Sequence, residues 1–174
     1  MAIMKLPGGA TPDVLRQSLR NSTAPQVRLR RAVVGVSLVG MAAMSVVTLL
    51  QSGLVKHLAD PPLKGFDTDR VNTSDTAYGW GMPDAPISIL SHAVGLVLAT
   101  LGGADRARKT PWVPLAATAA AAPPAVTSAA YLFYDMPVRE KAWCPYCIVD
   151  ALTHMAVLGF TLWESKQAFA RLSR

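Results

Sequence analysis

The chain has 174 residues, of which 51% are hydrophobic, and its formal net charge is +6 at pH 7. The apolar residues are concentrated in blocks, which argues against a soluble globular domain, where they would be dispersed. No basic face is interleaved with aromatic residues, so the positive charge does not indicate nucleic acid as a partner.

Four apolar blocks with little or no charge follow one another, and each approaches the roughly 20 residues that cross a bilayer. We predict transmembrane helices at 32–54, 85–103, 112–134 and 143–165. Pro123 and Pro124 predict a kink in the third, which neighbouring helices would tolerate. The predicted fold is an all-α integral membrane four-helix bundle surrounded by lipid bilayer, with a long loop between helices 1 and 2.

Lys and Arg are distributed unevenly around these predicted spans. Twelve lie before the first span, between the second and third, or after the fourth, and five lie in the other two connections. Because cytoplasmic loops retain positive charge, both termini are expected in the cytoplasm and the long loop outside it. Residues 1–31 would then be a basic cytoplasmic tail, 32–166 the transmembrane domain and 167–174 a second tail. A cleaved signal peptide is the alternative for the first span, but its long basic leader favours an uncleaved anchor.

Two connecting regions carry local signals. In "TPDVLRQSLR", Thr11 and Pro12 are typical of a helix start, so this part of the N-terminal tail is expected to be either a short surface helix or disordered. The first loop is rich in Asp, Pro and Gly, and its Trp and Tyr residues favour an ordered cap at the membrane surface. Such a loop is either a lid over a site or a plain surface segment.

The only two cysteines, Cys144 and Cys147, lie in "WCPYC" at the start of the fourth predicted span. A helix N-terminus favours a thiolate, and disulfides persist outside the cytoplasm, so the pair is predicted to be a redox couple. Cys144 is expected to be the more exposed and reactive partner, and Cys147 to lie one turn deeper.

Other interpretations of the pair were weighed. A glutaredoxin-like site is not favoured, because there the motif belongs to a small soluble domain. A structural zinc needs four ligands, and two cysteines with three histidines offer no second close pair, so no metal is predicted. Two inert, packed cysteines remain an alternative.

Ionisable residues lie beneath the cysteines on predicted spans. Asp150 and His154 share a helical face with Cys147, and buried charges in membranes usually mark function. His92, with Ser88 one turn above it, falls at a similar depth on the second span. The histidines could flank a quinone and move protons, ligate a haem, or simply bond neighbouring helix backbones.

With these features the chain resembles the vitamin K epoxide reductase family, membrane thiol-disulfide oxidoreductases of bacteria and the endoplasmic reticulum. The resemblance covers about residues 32–166 and rests on the four spans, the long outer loop, "GMPDAPISILSHAVGL" and "WCPYC". It implies a helical bundle around a quinone, which would be either ubiquinone or menaquinone. Cys147 would face the quinone, and Cys144 would exchange with incoming thiols. It also implies a multi-pass protein of the bacterial inner membrane.

The chain departs from that family in two respects. Members usually carry a second cysteine pair in the first loop, and "FDTDRVNTSDTAY" has none; a frequent tyrosine is replaced by Ala151. The first expectation is a thiol:quinone oxidoreductase that oxidises an extracytoplasmic thioredoxin-like partner or a small thiol. The alternatives are a non-catalytic accessory subunit of a larger membrane complex or quinone-binding protein and, least favoured, a bis-histidine haem carrier.

Overall fold

A computed structural model describes residues 11–172, whose regular structure is entirely helical. The first ten residues of the predicted N-terminal tail and the last two of the C-terminal tail lie outside this range. The elements are α1 (Pro12–Asn21), α2 (Pro25–Gln51), α3 (Thr68–Asn72), α4 (Asp84–Thr100), α5 (Arg106–Lys109), α6 (Trp112–Ala130), a π-helix that continues α6 (Tyr131–Glu140) and α7 (Pro145–Leu172). The predicted all-α class is confirmed for the described residues, as is the short helix that starts at Pro12.

Four of these helices pack together around a shared interior. Helix α2 packs against α4 and α7, and α6 packs against the same two helices. Small residues such as Ala99 and Ala121 lie at the centre with Val33 and Val157, which lets the helix axes approach closely.

Within residues 11–172, two helices are long and apolar enough to cross a membrane, namely Pro25–Gln51 and the Pro145–Ala170 part of α7. Helix α4 is a shorter apolar helix. Helix α2 begins at Pro25 rather than at residue 32, and α6 continues through Pro123 and Pro124. The membrane crossing of all four helices and their orientation stay predictions.

At the end of the bundle remote from the cysteines, two buried arginines donate hydrogen bonds to carbonyls at the C-terminal end of α4. Arg30 donates to the carbonyl oxygen of Ala99 at 2.7 Å, in the last turn of α4 where carbonyls lack partners within the helix, and to that of Gly102, just after the helix, at 2.8 Å. Arg106 donates to Glu164 through two nitrogens, at 2.7 and 2.5 Å. Both arginines, which the sequence places outside the predicted spans, Arg30 in the N-terminal tail and Arg106 in the loop after the second span, therefore lie inside the bundle, because they satisfy helix-end carbonyls and a buried carboxylate.

At the opposite end the long loop is fixed to the start of α7. The backbone N–H of Trp143 donates to Gly65 at 2.8 Å, and that of Asp67 donates to the carbonyl of Trp143 at 3.0 Å. The Asp67 side chain also caps α3 by accepting from the N–H of Arg70. These bonds hold α3 over the first turn of α7 and position the site described next.

Candidate active site

The cysteine pair begins α7. Cys144 directly precedes Pro145, the first residue of the helix, where the missing N–H of proline costs no hydrogen bond. Cys147 lies in the first turn, and its N–H donates to the Sγ of Cys144 at 3.1 Å, so that sulfur acts as a helix cap. The two cysteines form a disulfide with a Cα–Cα distance of 5.2 Å. The structure therefore contains the pair that the sequence predicted.

The relative exposure of the two cysteines is opposite to the prediction. Cys144 has no exposed surface, whereas Cys147 retains 6% of its surface and lines a cavity. The loop covers Cys144 because its backbone pairs with Trp143 on both sides, and Val71 of α3 packs against the disulfide. The expectation that Cys144 is the more exposed partner is wrong for this state of the chain.

Asn72, the last residue of α3, reaches both sulfurs although it is only 1% exposed. Its Nδ2 donates to the Sγ of Cys144 at 3.2 Å, and its Oδ1 lies 3.3 Å from the Sγ of Cys147. Nδ2 also donates to the carbonyl of Thr68 at 2.8 Å. Gln51, at the end of α2, donates to the backbone carbonyl of Asn72 at 3.3 Å. The loop thus presents an anchored amide to the disulfide.

A cavity of about 430 Å³ adjoins Cys147 and has walls from α2, the loop, α4, α6 and α7. Its volume falls within the range of sites that bind small molecules. Among the predicted residues, Cys147, Ser88, Asp150 and His154 line it. Carboxylates that the sequence analysis did not single out also line it, on Asp84 and Asp135.

The predicted residues Ser88, His92, Asp150 and His154 form one cluster beneath the cysteines. The Ser88 hydroxyl donates to the Oδ1 of Asp150 at 2.8 Å and lies 2.9 Å from the Nε2 of His154. The same Oδ1 lies 3.1 Å from the Nε2 of His92 and 3.7 Å from that of His154. The two imidazole rings are stacked, with centroids 3.9 Å apart and planes 8° from parallel. The Asp150 carboxylate therefore lies close to two buried imidazoles, and both this carboxylate and the Ser88 hydroxyl line the cavity.

Two further residues support this cluster. Gly40 on α2 lies so close to His92 that a Cβ on Gly40 would collide with the Nε2 of that ring and lie 2.6 Å from the Oγ1 of Thr153. Thr153 itself lies 3.3 Å from the Nε2 of His92. The sequence analysis missed Gly40, Thr153 and Asn72, because their roles depend on contacts between helices that no local pattern reveals.

The geometry of the cluster does not suit a metal ion or a haem. One ligand atom from each of His92, Asp150 and His154 lies within 4.8 Å of the others, a separation that a metal could span. However, each imidazole lone pair lies in its own ring plane, so an ion between two nearly parallel rings would lie outside both planes. Rings in van der Waals contact also leave no space for an iron porphyrin between them. The arrangement fits hydrogen bonding and proton exchange better than metal ligation.

Comparison with known protein families matches residues 31–162 to the vitamin K epoxide reductase family. Comparisons with curated proteins and with solved structures give no match. Members of that family are membrane-associated oxidoreductases, with which the apolar helices and the cysteine pair agree. The match spans most of the chain and includes the cysteine pair, the histidines and the loop that covers them, so the chain belongs to the vitamin K epoxide reductase family.

Proposed function

We propose that this chain is a membrane thiol:quinone oxidoreductase, in which the Cys144–Cys147 couple passes electrons from extracytoplasmic thiols to a quinone. The observation that carries the proposal is the position of Cys147, which lines one cavity together with Ser88, Asp150 and His154. An exchangeable sulfur and a proton-carrying cluster thus face the same space, as the reduction of a quinone requires.

The cavity is suited to a quinone ring by size and by the chemistry of its wall. Apolar residues such as Met44, Ile87 and Ala151 line it, while the Ser88 hydroxyl and the His154 imidazole supply polar groups at one point. A quinone bound there, ubiquinone or menaquinone, would accept two electrons and two protons. The hydroxyl and imidazole could bond its carbonyl oxygens, and the wall would exclude bulk water.

Asp150 and the two histidines are proposed to transfer protons to the quinone. The Asp150 carboxylate contacts the Ser88 hydroxyl and the His92 ring, and His154 faces the cavity on the other side of the same stack. A carboxylate so placed orients both rings. His92 thus acts behind His154 as a positioning residue.

The electron donor must reach the couple without help from loop cysteines, since the loop has none. A thioredoxin-like partner or a small thiol is proposed as the donor. In the structure the loop covers Cys144, so a folded partner gains access to that sulfur only when α3 moves away. A small thiol meets Cys147 from the cavity with no such movement.

We further propose that α2, α4, α6 and α7 all cross the bacterial inner membrane, with both termini in the cytoplasm. The four apolar helices pack as one bundle, and a loop fixed to the start of α7 puts the cysteines at one end of it. Reporter fusions after residue 109 and after residue 174 should both give cytoplasmic signals. An extracytoplasmic signal at either position would contradict this topology.

The redox state of the cysteines in cells tests the proposed activity. Alkylation of Cys144 and Cys147 should show an oxidised pair while the quinone pool is oxidised, and a reduced pair when quinone synthesis is blocked. Purified protein should reduce a soluble quinone analogue with dithiothreitol as donor, and Cys147→Ala should abolish this. His57→Ala, which changes the exposed third histidine, is the matched control and should retain the activity. A pair fixed in one state whatever the quinone pool does would overturn the proposal.

A second candidate is a non-catalytic subunit of a larger membrane complex, favoured by the missing loop cysteines and the buried Cys144. In that case the disulfide would stay closed in cells. Cys144→Ala and Cys147→Ala would then alter stability and co-purifying partners, and the purified chain would show no quinone reduction. The two functions therefore separate in the same alkylation experiment.

A further inference from the structure

The carboxamide of Asn72 contacts both sulfurs of the disulfide, and none of the roles assigned above uses it. We propose that Asn72 is a catalytic residue that holds Cys144 as a thiolate when the disulfide opens, which leaves Cys147 as the sulfur that exchanges bonds. This inference rests on the proposed thiol oxidoreductase activity and gives the two cysteines different tasks.

The orientation of the amide is fixed by a third partner. The carbonyl oxygen of Thr68 can only accept, and it lies 2.8 Å from the Nδ2 of Asn72, so that atom must be the nitrogen. Its second hydrogen is donated to the Sγ of Cys144, and the oxygen Oδ1 is left facing Cys147. The amide therefore distinguishes the sulfurs, offering a donor to Cys144 and an acceptor to Cys147.

Cys144 also receives a second donor. The backbone N–H of Cys147 donates to its Sγ at 3.1 Å, and the N-terminus of α7 adds partial positive charge there. Cys144 has no exposed surface, so water cannot replace these donors. A buried anion requires such hydrogen bonds, and bonds to a charged group are stronger than those to a neutral one. Asn72 is thus built to favour negative charge on Cys144.

Cys147 has the access that Cys144 lacks. It lines the cavity of about 430 Å³, and a thiol or quinone in that cavity meets this sulfur first. The acceptor Oδ1 of Asn72 suits a protonated Cys147 thiol, which can donate to it. The geometry thus reverses the expectation that Cys144 meets incoming thiols.

The chemical step follows from these contacts. A donor thiolate attacks the Sγ of Cys147, a mixed disulfide forms there, and the Cys144–Cys147 bond breaks. The electron pair of that bond stays on Cys144, which becomes the thiolate held by Asn72. A second donor thiolate then attacks the donor sulfur of the mixed disulfide and releases the oxidised donor. Cys147 takes up one proton that the donors released, so the donors lose two electrons and the couple gains two.

The test is the redox equilibrium of the couple against dithiothreitol in the purified full-length chain, read by alkylation. Asn72→Leu keeps the number and branching of the side-chain heavy atoms without the amide, and Asn72→Asp is isosteric but replaces the donor with a charged acceptor. The control is Thr73→Val, because Thr73 is exposed and its hydroxyl donates only to the Asp69 carbonyl of the same helix.

Removing the amide should make the disulfide harder to reduce. For Asn72→Leu we expect the equilibrium constant for reduction to fall about tenfold or more, since hydrogen bonds to charged groups contribute strongly. Tenfold is about 30 mV for a two-electron couple. Asn72→Asp should show a fall at least as large, and Thr73→Val should remain within about twofold of the original chain.

The proposal is overturned if both Asn72 variants remain within twofold of the original chain, or if their couples become easier to reduce. The unfolding midpoint of each variant will show whether it folds. If Asn72→Leu does not fold, the isosteric Asn72→Asp provides the test alone. No quinone takes part in this measurement. A chain that fails to reduce quinone would therefore overturn the proposed function and leave the result for Asn72 standing.

Discussion

The imidazole rings of His92 and His154 stack face to face, with centroids 3.9 Å apart, although they come from α4 and α7. The Asp150 carboxylate lies 3.1 Å from the Nε2 of His92 and 3.7 Å from that of His154. Both rings therefore approach the same carboxylate oxygen of Asp150. If the proposed quinone reduction takes place, we expect proton delivery to the cavity to depend on Asp150.

Asp150→Asn should slow quinone reduction by roughly 10²-fold or more, as the loss of general acid–base catalysis does. The amide keeps the shape and can still accept the hydrogen bond from Ser88, but it removes the carboxylate charge and the proton acceptor beside both imidazoles. Steady-state turnover with a soluble quinone and dithiothreitol measures the effect. His57→Ala, at the exposed histidine, is the control. Turnover within about threefold of the original for Asp150→Asn would show that Asp150 only supports the structure.

The contact between Gly40 and His92 gives a second prediction. A methyl group at Gly40 would collide with the His92 ring and crowd the Thr153 hydroxyl. Because overpacking a tight interface costs about 1–3 kcal/mol, Gly40→Ala should lower both the unfolding midpoint and turnover. Gly35→Ala is a matched control on the same helix, since a Cβ there meets no atom within 4 Å. Equal unfolding midpoints and equal turnover for Gly40→Ala and Gly35→Ala would contradict the close packing of Gly40 against His92.

The sequence allowed the helical class and the cluster to be predicted, because both depend on patterns along the chain. Apolar blocks predict helices, and Asp150 and His154 share a helical face with Cys147 at spacings of three and seven residues. The depth of His92 along the second predicted span is similar to that of His154 along the fourth, and Ser88 lies one turn above His92. These residues do lie together in the structure, while their roles in binding a quinone stay predictions.

The exposure of the cysteines could not be predicted in this way. Position at a helix start suggests an exposed Cys144, but burial is decided by a loop whose fold depends on distant partners. The pairing of Gly65 and Asp67 with Trp143 joins residues more than 70 positions apart. Asn72 becomes a partner of the sulfurs only because that pairing places α3 over them. The sequence likewise predicts Arg106 as a charge in a loop, because no local pattern indicates its pairing with Glu164, 58 residues along the chain.

The anchor of α3 gives a third prediction, on access to Cys144. The Asp60 carboxylate accepts from the backbone N–H of Thr68 at 3.0 Å and also from its hydroxyl, at the first residue of α3. Asp60→Ala should loosen α3 and raise the alkylation rate of Cys144, measured in the Cys147→Ala background, by about tenfold. That factor is the loss of about 1.4 kcal/mol of local stability, a typical value for one or two hydrogen bonds.

The control for that experiment is Asp75→Ala, because Asp75 is an exposed acidic residue of the same loop. It should leave the alkylation rate of Cys144 unchanged. Hydrogen exchange of the α3 amides should rise for Asp60→Ala alone. Unchanged exchange and unchanged alkylation would show that the pairing with Trp143 holds the loop without Asp60.

The last prediction concerns the ion pair at the other end of the bundle. Arg106 and Glu164 are 2% and 3% exposed, and removing one partner strands the other charge away from water. Glu164→Ala and Arg106→Ala should each lower the free energy of unfolding by roughly 3–5 kcal/mol, the usual cost of breaking a buried pair. The double variant should lose less than the sum, because no unpaired charge is left behind. Arg108→Ala, at the exposed arginine two residues on, should change stability by less than about 0.5 kcal/mol. Reversible unfolding in mixed micelles measures all four variants, and strictly additive losses would show that the two charges do not stabilise each other.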